Sequence, residues 1–212
     1  MADQPEWVAG VDEVGRGALF GPVVAAAVIL SPQQETELAQ AGVTDSKKLT
    51  ASRRTLLATQ IRNQATGAQV AYATVWEIDR LNILQASLLA MARAIGRVSP
   101  RPTRCLIDGN QRVPHLAIAQ ETWVKGDSRS VAIAAASILA KVWRDELIVR
   151  PDARYPGYDL ASNKGYGSPK HRQALLRLGP TRQHRRSFAP CRGAGVEVEP
   201  DRSATPIHPT AK

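Results

Sequence analysis

Residues 8–17 read VAGVDEVGRG. Val8, Ala9 and Val11 make a short apolar run suited to a buried strand, and two adjacent carboxylates, Asp12 and Glu13, close it. A charged pair is a poor interior for such a strand, so its end belongs at a sheet edge. Gly15, Arg16 and Gly17 follow at once. Glycines two apart let the backbone come close to a neighbouring molecule. The stretch therefore reads either as a metal or polyanion site at a sheet edge or as a strand ending in a solvated acidic turn. Neighbours on a strand face opposite ways, so a site shared by Asp12 and Glu13 predicts a break or bulge there.

The chain around this stretch has 212 residues, 43% hydrophobic and 22% charged, enough to bury the core of one domain with a smaller appendage. Its longest apolar run, residues 18–30, is about half of a membrane span and is broken by Gly21 and Pro22, so no transmembrane helix is expected. MADQPEW at the start has neither the basic opening nor the apolar core of a signal peptide, which makes the cytoplasm the expected location. Cys105 and Cys191 lack metal-ligand spacing and read as small buried residues. The net charge of +9 is concentrated: residues 141–193 carry 12 Lys or Arg against 4 Asp or Glu, a surplus of 8. A basic C-terminal third beside an acidic front end suits an enzyme that holds phosphates with one part and metal with the other.

The coarse order of elements follows from periodicity and punctuation. Residues 23–30, VVAAAVIL, read as a buried second strand entered through Gly21-Pro22. Ser31-Pro32 opens a short helix that Gly42 stops, and TDSKKL at 44–49 is a polar loop. A helix is predicted over 52–65 and a third strand over 69–76, where Val70, Tyr72, Thr74 and Trp76 alternate with small residues. Ile78, Leu81, Leu84, Leu88, Met91, Ala92 and Ile95 predict one long amphipathic helix ending near Ser99-Pro100. Strands are expected at 104–107 and 116–124, then a helix over about 128–149 whose alanines imply close packing on the sheet. Beyond Pro151 comes a Gly, Tyr and Ser loop, a last helix from Ser168-Pro169 to Gly179-Pro180, a basic run, and a tail expected to be disordered. Hairpin and crossover connections together predict an α/β mixed five-stranded sheet flanked by helices. The expected division is a catalytic domain over 1–150, a helical and loop-rich extension over 151–193, and the tail over 194–212.

Asp12, Glu13, Asp108 and Asp127 all stand where an apolar strand gives way to a loop. Carboxylates gathered without His or Cys favour hard ions such as Mg²⁺ or Mn²⁺ over zinc. Two such ions about 3.5–4 Å apart can hold the attacking water and the departing oxygen of a phosphodiester in line. Taken singly, Asp127 also reads as a helix N-cap and Asp108 as the opening of an Asp-Gly turn. Lys47 and Lys48 read as phosphate ligands or a solvated pair. Tyr166, between two glycines, reads as an exposed ring able to stack on a sugar or base, or as a cover for local apolar surface. His171 and His184 have no partner at ligand spacing, and Arg185-Arg186 either bind phosphate or face solvent.

Seven ordered motifs, VAGVDEVGRG, TDSKKL, EIDRLNIL, LIDGN, KGDSRSVAIAAASILAKVWRD, NKGYGSPKH and HRRSFAP, resemble bacterial ribonuclease HII, the type 2 ribonuclease H, over about residues 7–190. The resemblance implies a ribonuclease H-like fold with a small C-terminal helical extension. It implies endonucleolytic cutting of the RNA strand of RNA–DNA hybrids, and nicking of duplex DNA on the 5′ side of an embedded ribonucleotide to leave 3′-hydroxyl and 5′-phosphate ends. Asp12, Glu13, Asp108 and Asp127 match the family's four metal-binding acids, for two divalent ions, Mg²⁺ or Mn²⁺. Gly15, Arg16 and Gly17 match the segment that reads the ribose 2′-hydroxyl. Tyr166 matches the tyrosine that stacks on the following sugar, and Lys47 falls in a phosphate contact. The implied partners are RNA–DNA hybrid and duplex DNA containing ribonucleotides, with no membrane, and the expected state is a monomer.

Overall fold

The computed structural model describes residues 6–192 and contains one five-stranded mixed sheet in the order β3, β2, β1, β4, β5. β1 (Val8–Val14) pairs antiparallel with β2 (Val23–Ile29), and β3 (Gly67–Ala73) pairs antiparallel beyond it. On the other side β4 (Arg104–Asp108) runs parallel to β1, and β5 (Ala119–Trp123) parallel to β4. β2 is buried along its whole length, as its unbroken apolar sequence requires.

The short helix α1 (Pro32–Gln40) follows β2 with Ser31 as its cap, and α2 (Ala51–Gln64) starts at Thr50. Between them Ser46–Lys48 form a 3₁₀ turn rather than an open loop, held by the Asp45 carboxylate accepting from the Lys47 N–H at 2.9 Å. The third strand is shorter than its alternation predicts. Thr74 caps a helix, α3 (Val75–Leu81), and Glu77 reaches back to the Thr74 N–H at 2.8 Å, so Trp76 stands on a helix. The long helix predicted from residue 78 is in fact two. Asn82 adopts φ 75° and caps α4 (Ile83–Arg97), while the apolar spacing runs through the break uninterrupted.

α4 covers one face of the sheet with Ala86, Ala90, Met91, Ala94 and Ile95. α5 (Val131–Val149) covers the other with an alanine-rich stripe, joined by α1 and α2. Contact between α5 and β1 is backbone to backbone: a Cβ on Gly10 would stand 2.2 Å from the Ala132 carbonyl carbon. None of the described helices is long and apolar enough to cross a membrane.

The C-terminal extension contributes α6 (Leu160–Asn163), α7 (Pro169–Leu178) and α8 (Ala189–Arg192). It packs Tyr158, Leu160, Ala174, Leu175 and Cys191 on Leu19, Phe20 and Ile148. Two fully buried guanidinium groups join it to the body. Arg144 of α5 donates to the carbonyls of Pro22 at 3.1 Å, Phe20 at 2.9 Å and Lys164 at 2.9 Å. Arg185 donates to the carbonyls of Gly21 at 3.0 Å and Arg16 at 2.8 Å, so it neither faces solvent nor reaches for phosphate. The expected disordered tail, residues 194–212, lies outside the described residues.

Replacing Gly10 by Ala should lower stability by about 1–3 kcal/mol through overpacking against α5. Gly96→Ala on α4, where a Cβ meets open space, should be neutral or gain up to roughly 1 kcal/mol. Denaturant midpoints of the two variants measure the difference.

Candidate active site at the ends of β1 and β4

β1 reaches Val14 in unbroken register with β2, Asp12 opposite Ala26 and Glu13 opposite Ala25. There is neither break nor bulge, so the bulge expected from the sequence is absent. Asp12 faces α5, where Ser137 lies beside it, and Glu13 faces the α4 side. They meet instead around an open edge. Pairing of β1 with β4 stops at Val11 and Ile107, and one residue further along the two strands stand Asp12 and Asp108. Past that point β1 has no neighbour on the β4 side, and carboxylates from either face share the gap.

Each acid is held by a specific group. The Asp12 carboxylate accepts from the Glu13 N–H at 2.7 Å and is only 6% exposed. Asp108 accepts from the Gly126 N–H at 2.7 Å, which ties β4 to the turn carrying Asp127. Asp127 sits in a 3₁₀ turn over Gly126–Ser128; Ser130, not Asp127, caps α5. Glu13 lies 3.3 Å from the Arg16 guanidinium, and Asp127 lies 3.7 Å from the Lys47 ammonium.

Electrostatics show how closely these groups sense one another. Burial pushes the Asp12 carboxyl well above the usual carboxylate range, and the charges of Glu13 and Asp108 push it further. Burial also raises Glu13, against the pull of Arg16. Asp127 is raised by burial and then by Asp45, with Lys47 opposing. Burial acts to lower Lys47, yet Asp127, Asp45, Asp12 and Asp108 together raise it. Lys47 therefore supplies the positive charge that the acids attract.

The glycines beside the acids divide by cause. Gly15 has φ 91°, and a Cβ there would stand 2.1 Å from the Arg144 Nε, so packing inside the protein demands glycine. Gly17 is exposed, and apart from its chain neighbours no atom lies within 4 Å of where its Cβ would be. Nothing in the protein requires glycine at 17. Arg16 lies between them with half its side chain exposed. Tyr166 joins this loop through a bridge to Ala18 and is half-buried rather than exposed, its ring near Lys141 at 5.5 Å and Arg144 at 5.3 Å.

The model of the family described as Ribonuclease HII matches residues 9–191. The chain belongs to the ribonuclease HII family. Ribonuclease HII of Acaryochloris marina is 67% identical over 194 residues, 92% of this chain and 98% of that one. Ribonuclease HII of Trichodesmium erythraeum is 60% identical over 190 residues, 90% of each chain. Among solved structures, the ribonuclease H2 from Pyrococcus horikoshii OT3 superposes with a TM-score of 0.76 at 26% identity, covering 88% of this chain and 95% of that one. Membership makes this protein an enzyme, a nuclease with ribonuclease H activity on RNA–DNA hybrids.

A ribonuclease HII implies divalent metal, for which the four acids are the candidate ligands. Among the described residues, no three acid, histidine or cysteine side chains converge closely enough to enclose an ion. The reason is visible: Glu13 is turned to Arg16, Asp127 to Lys47, and Asp12 and Asp108 each to a backbone N–H. The donor set nevertheless fits. It is all oxygen, and the charges of Glu13 and Asp108 raise buried Asp12, a repulsion that a cation relieves.

Sequence spacing missed Arg144 and misread Arg185, which hold carbonyls of the glycine loop and the turn after it. One signal for Arg144 is in the chain: it is a charged residue within the largely apolar run of α5, where it proves to be fully buried.

A raised carboxyl costs stability when ionised. That cost is absent below the unfolded pKa of about 3.9, grows as pH rises towards the folded value, and is complete above it. Asp12→Asn should therefore raise the melting temperature of the metal-free protein at pH 7, by roughly 2–4 °C per kcal/mol relieved. Added Mg²⁺ should raise the melting temperature of the parent more than that of the variant. Calorimetry with and without Mg²⁺ checks both.

Proposed function

We propose that the protein nicks duplex DNA on the 5′ side of an embedded ribonucleotide, as well as cutting the RNA strand of hybrids, by two-metal-ion catalysis with Mg²⁺ or Mn²⁺. Gly17 carries the reading. It is an exposed glycine with open space over its α-carbon, two residues past Gly15 and four past Glu13, and packing supplies no reason for it. A backbone without a side chain can approach a sugar and both donate to and accept from a 2′-hydroxyl, the group that separates RNA from DNA at one nucleotide.

Asp12, Asp108, Glu13 and Asp127 would hold the ions through their carboxylate oxygens. Bound there, a divalent pair supplies an activated water and positive charge opposite the departing oxygen. The bond broken joins phosphorus to the 3′ oxygen of the preceding nucleotide. Water oxygen goes to phosphorus and a proton to the leaving oxygen, which gives 5′-phosphate and 3′-hydroxyl ends.

The protein's own residues do the rest. Arg185 holds the Arg16 carbonyl and Arg144 packs under Gly15, which fixes the loop against the strand end. Tyr166, anchored at Ala18, offers a ring edge for the sugar that follows the ribonucleotide. Lys47, largely exposed beside Asp127, would hold a phosphate of the substrate. The basic surplus of residues 141–193 would hold the duplex, and the protein would act as a monomer.

Cleavage of a duplex bearing one ribonucleotide, with its ends mapped in Mg²⁺, Mn²⁺ and EDTA, tests the reading. A 5′-side nick that EDTA abolishes supports it; equal nicking of all-DNA duplex contradicts it. Asp12→Asn should remove cleavage and keep binding. Gly17→Ala should leave the melting temperature unchanged and lower kcat/KM on this duplex by roughly 10-fold or more. Gly15→Ala should lose both stability and activity.

A further inference from the structure

His171 and His184 are 0% and 1% exposed, and their Nε2 atoms lie 3.0 Å apart. Thirteen residues separate them in sequence, so no ligand spacing pairs them, yet the fold makes each the other's partner. The outer nitrogens are bound as well. His184 Nδ1 receives the Thr181 backbone N–H at 3.0 Å and lies 2.9 Å from the Thr181 hydroxyl. His171 Nδ1 lies 2.9 Å from the Tyr166 carbonyl oxygen.

These end groups fix every proton between them. A backbone N–H can only donate, so His184 Nδ1 is bare and its single proton is on Nε2. A carbonyl can only accept, so His171 Nδ1 carries a proton and donates it to Tyr166. The His184 Nε2–H then points at His171 Nε2, which must be bare to accept it. Both rings are neutral and hold opposite tautomers. A third proton would set two N–H groups against each other at the 3.0 Å contact. Burial works in the same direction, lowering His171 and pushing His184 down to about 3 with help from His171. Phe20 and Tyr158 pack edge-on or tilted against the His184 ring at 5.0 and 4.8 Å, which leaves it little freedom to rotate.

We infer that this pair is a tautomer-locked relay that positions Tyr166 for the substrate, running from the Thr181 N–H through His184 and His171 to the Tyr166 carbonyl. Histidine is required at both positions, since only an imidazole presents a donor and an acceptor on opposite edges of one small rigid ring. The relay is one of several holds on Tyr166: its N–H donates to the Asn163 carbonyl at 2.9 Å, its carbonyl also accepts from the Ser168 N–H at 2.8 Å, and a bridge ties it to Ala18 beside Gly17. His171 and His184 are thus positioning residues, acting through Tyr166. The inference rests on the proposed role of Tyr166 in gripping the sugar.

Two measurements separate the relay from that role. Long-range ¹H–¹⁵N spectra of the intact protein, which has four histidines, read each ring's tautomer directly. The relay requires Nδ1–H at His171 and Nε2–H at His184; any other assignment overturns it, whatever Tyr166 does. The second measurement is kinetic, on the duplex with one ribonucleotide. In His171→Asn the amide nitrogen replaces Nδ1 and keeps the donor to Tyr166, whereas in His171→Gln it replaces Nε2 and loses that donor. Gln should lower kcat/KM by roughly 10- to 100-fold and Asn far less. In a Tyr166→Ala background the Gln substitution should cost nothing further. A mere packing role predicts that Asn is at least as harmful as Gln and that the losses multiply, and either result overturns the inference. If Tyr166→Ala cleaves like the parent, the role of Tyr166 falls, and the kinetic claim of the relay falls with it.

Discussion

Carboxylates from three segments are brought together at the end of β1, and much of the surrounding structure answers their mutual repulsion. Asp12 lies under α5, Glu13 on the opposite face, Asp108 ends β4, and Asp127 stands in the turn that Asp108 itself anchors. Burial and like charge raise Asp12 well above its ordinary range. Lys47 and Arg16 offset part of the repulsion with single positive charges held at 3.7 and 3.3 Å. A monovalent ammonium that is largely exposed is a weak counter-ion for such a group, and a divalent cation is a strong one. Ionised Asp12 costs stability at this strand end, the kind of cost that is common where function needs strained electrostatics.

The loop after β1 depends on a different device, built on the opposite sign of charge. Arg144 and Arg185 are both fully buried, and burial lowers both, Arg185 to about 9. Neither has a carboxylate partner among its hydrogen bonds. Arg144 donates to carbonyls of residues 20, 22 and 164, and Arg185 to carbonyls of residues 16 and 21 through Nε and Nη1, its Nη2 being buried without a hydrogen-bond partner among the described residues. These bonds hold the glycine loop, the strand end and the C-terminal extension in one arrangement. A loop so held keeps the bare backbone of Gly17 in a fixed place relative to the acids, the rigidity that the proposed reading of one hydroxyl group requires.

Much of this was legible in the chain. β1 and β2 announce themselves as apolar runs, and the alanines of α5 foretell its backbone contact with Gly10. All four acids stand after apolar runs, but taken singly Asp108 and Asp127 also read as a turn and a cap, and it is the family resemblance that groups the four. Misreadings have physical causes. Trp76 continues an alternating pattern, but the Thr74 and Glu77 capping box starts a helix beneath it. Asn82 breaks a helix without breaking its apolar spacing. Asp12 and Glu13 invited a bulge because a shared site was assumed to need a shared face; an open strand edge serves instead. Arg185, set in a basic run, looks like surface, and only the fold reveals that carbonyls surround it. His171 and His184 were invisible as a pair because nothing in a sequence indicates that two rings thirteen residues apart will touch.

The central claim is that the four acids exchange Lys47 and Arg16 for divalent cations. Anomalous diffraction from crystals of the protein soaked in Mn²⁺, with a bound duplex carrying one ribonucleotide, tests it most directly. The account predicts Mn²⁺ peaks coordinated by Asp12 and Asp108, with Glu13 and Asp127 swung towards them and Lys47 moved off Asp127. Peaks elsewhere, with Glu13 still on Arg16 and Asp127 still on Lys47, would contradict it.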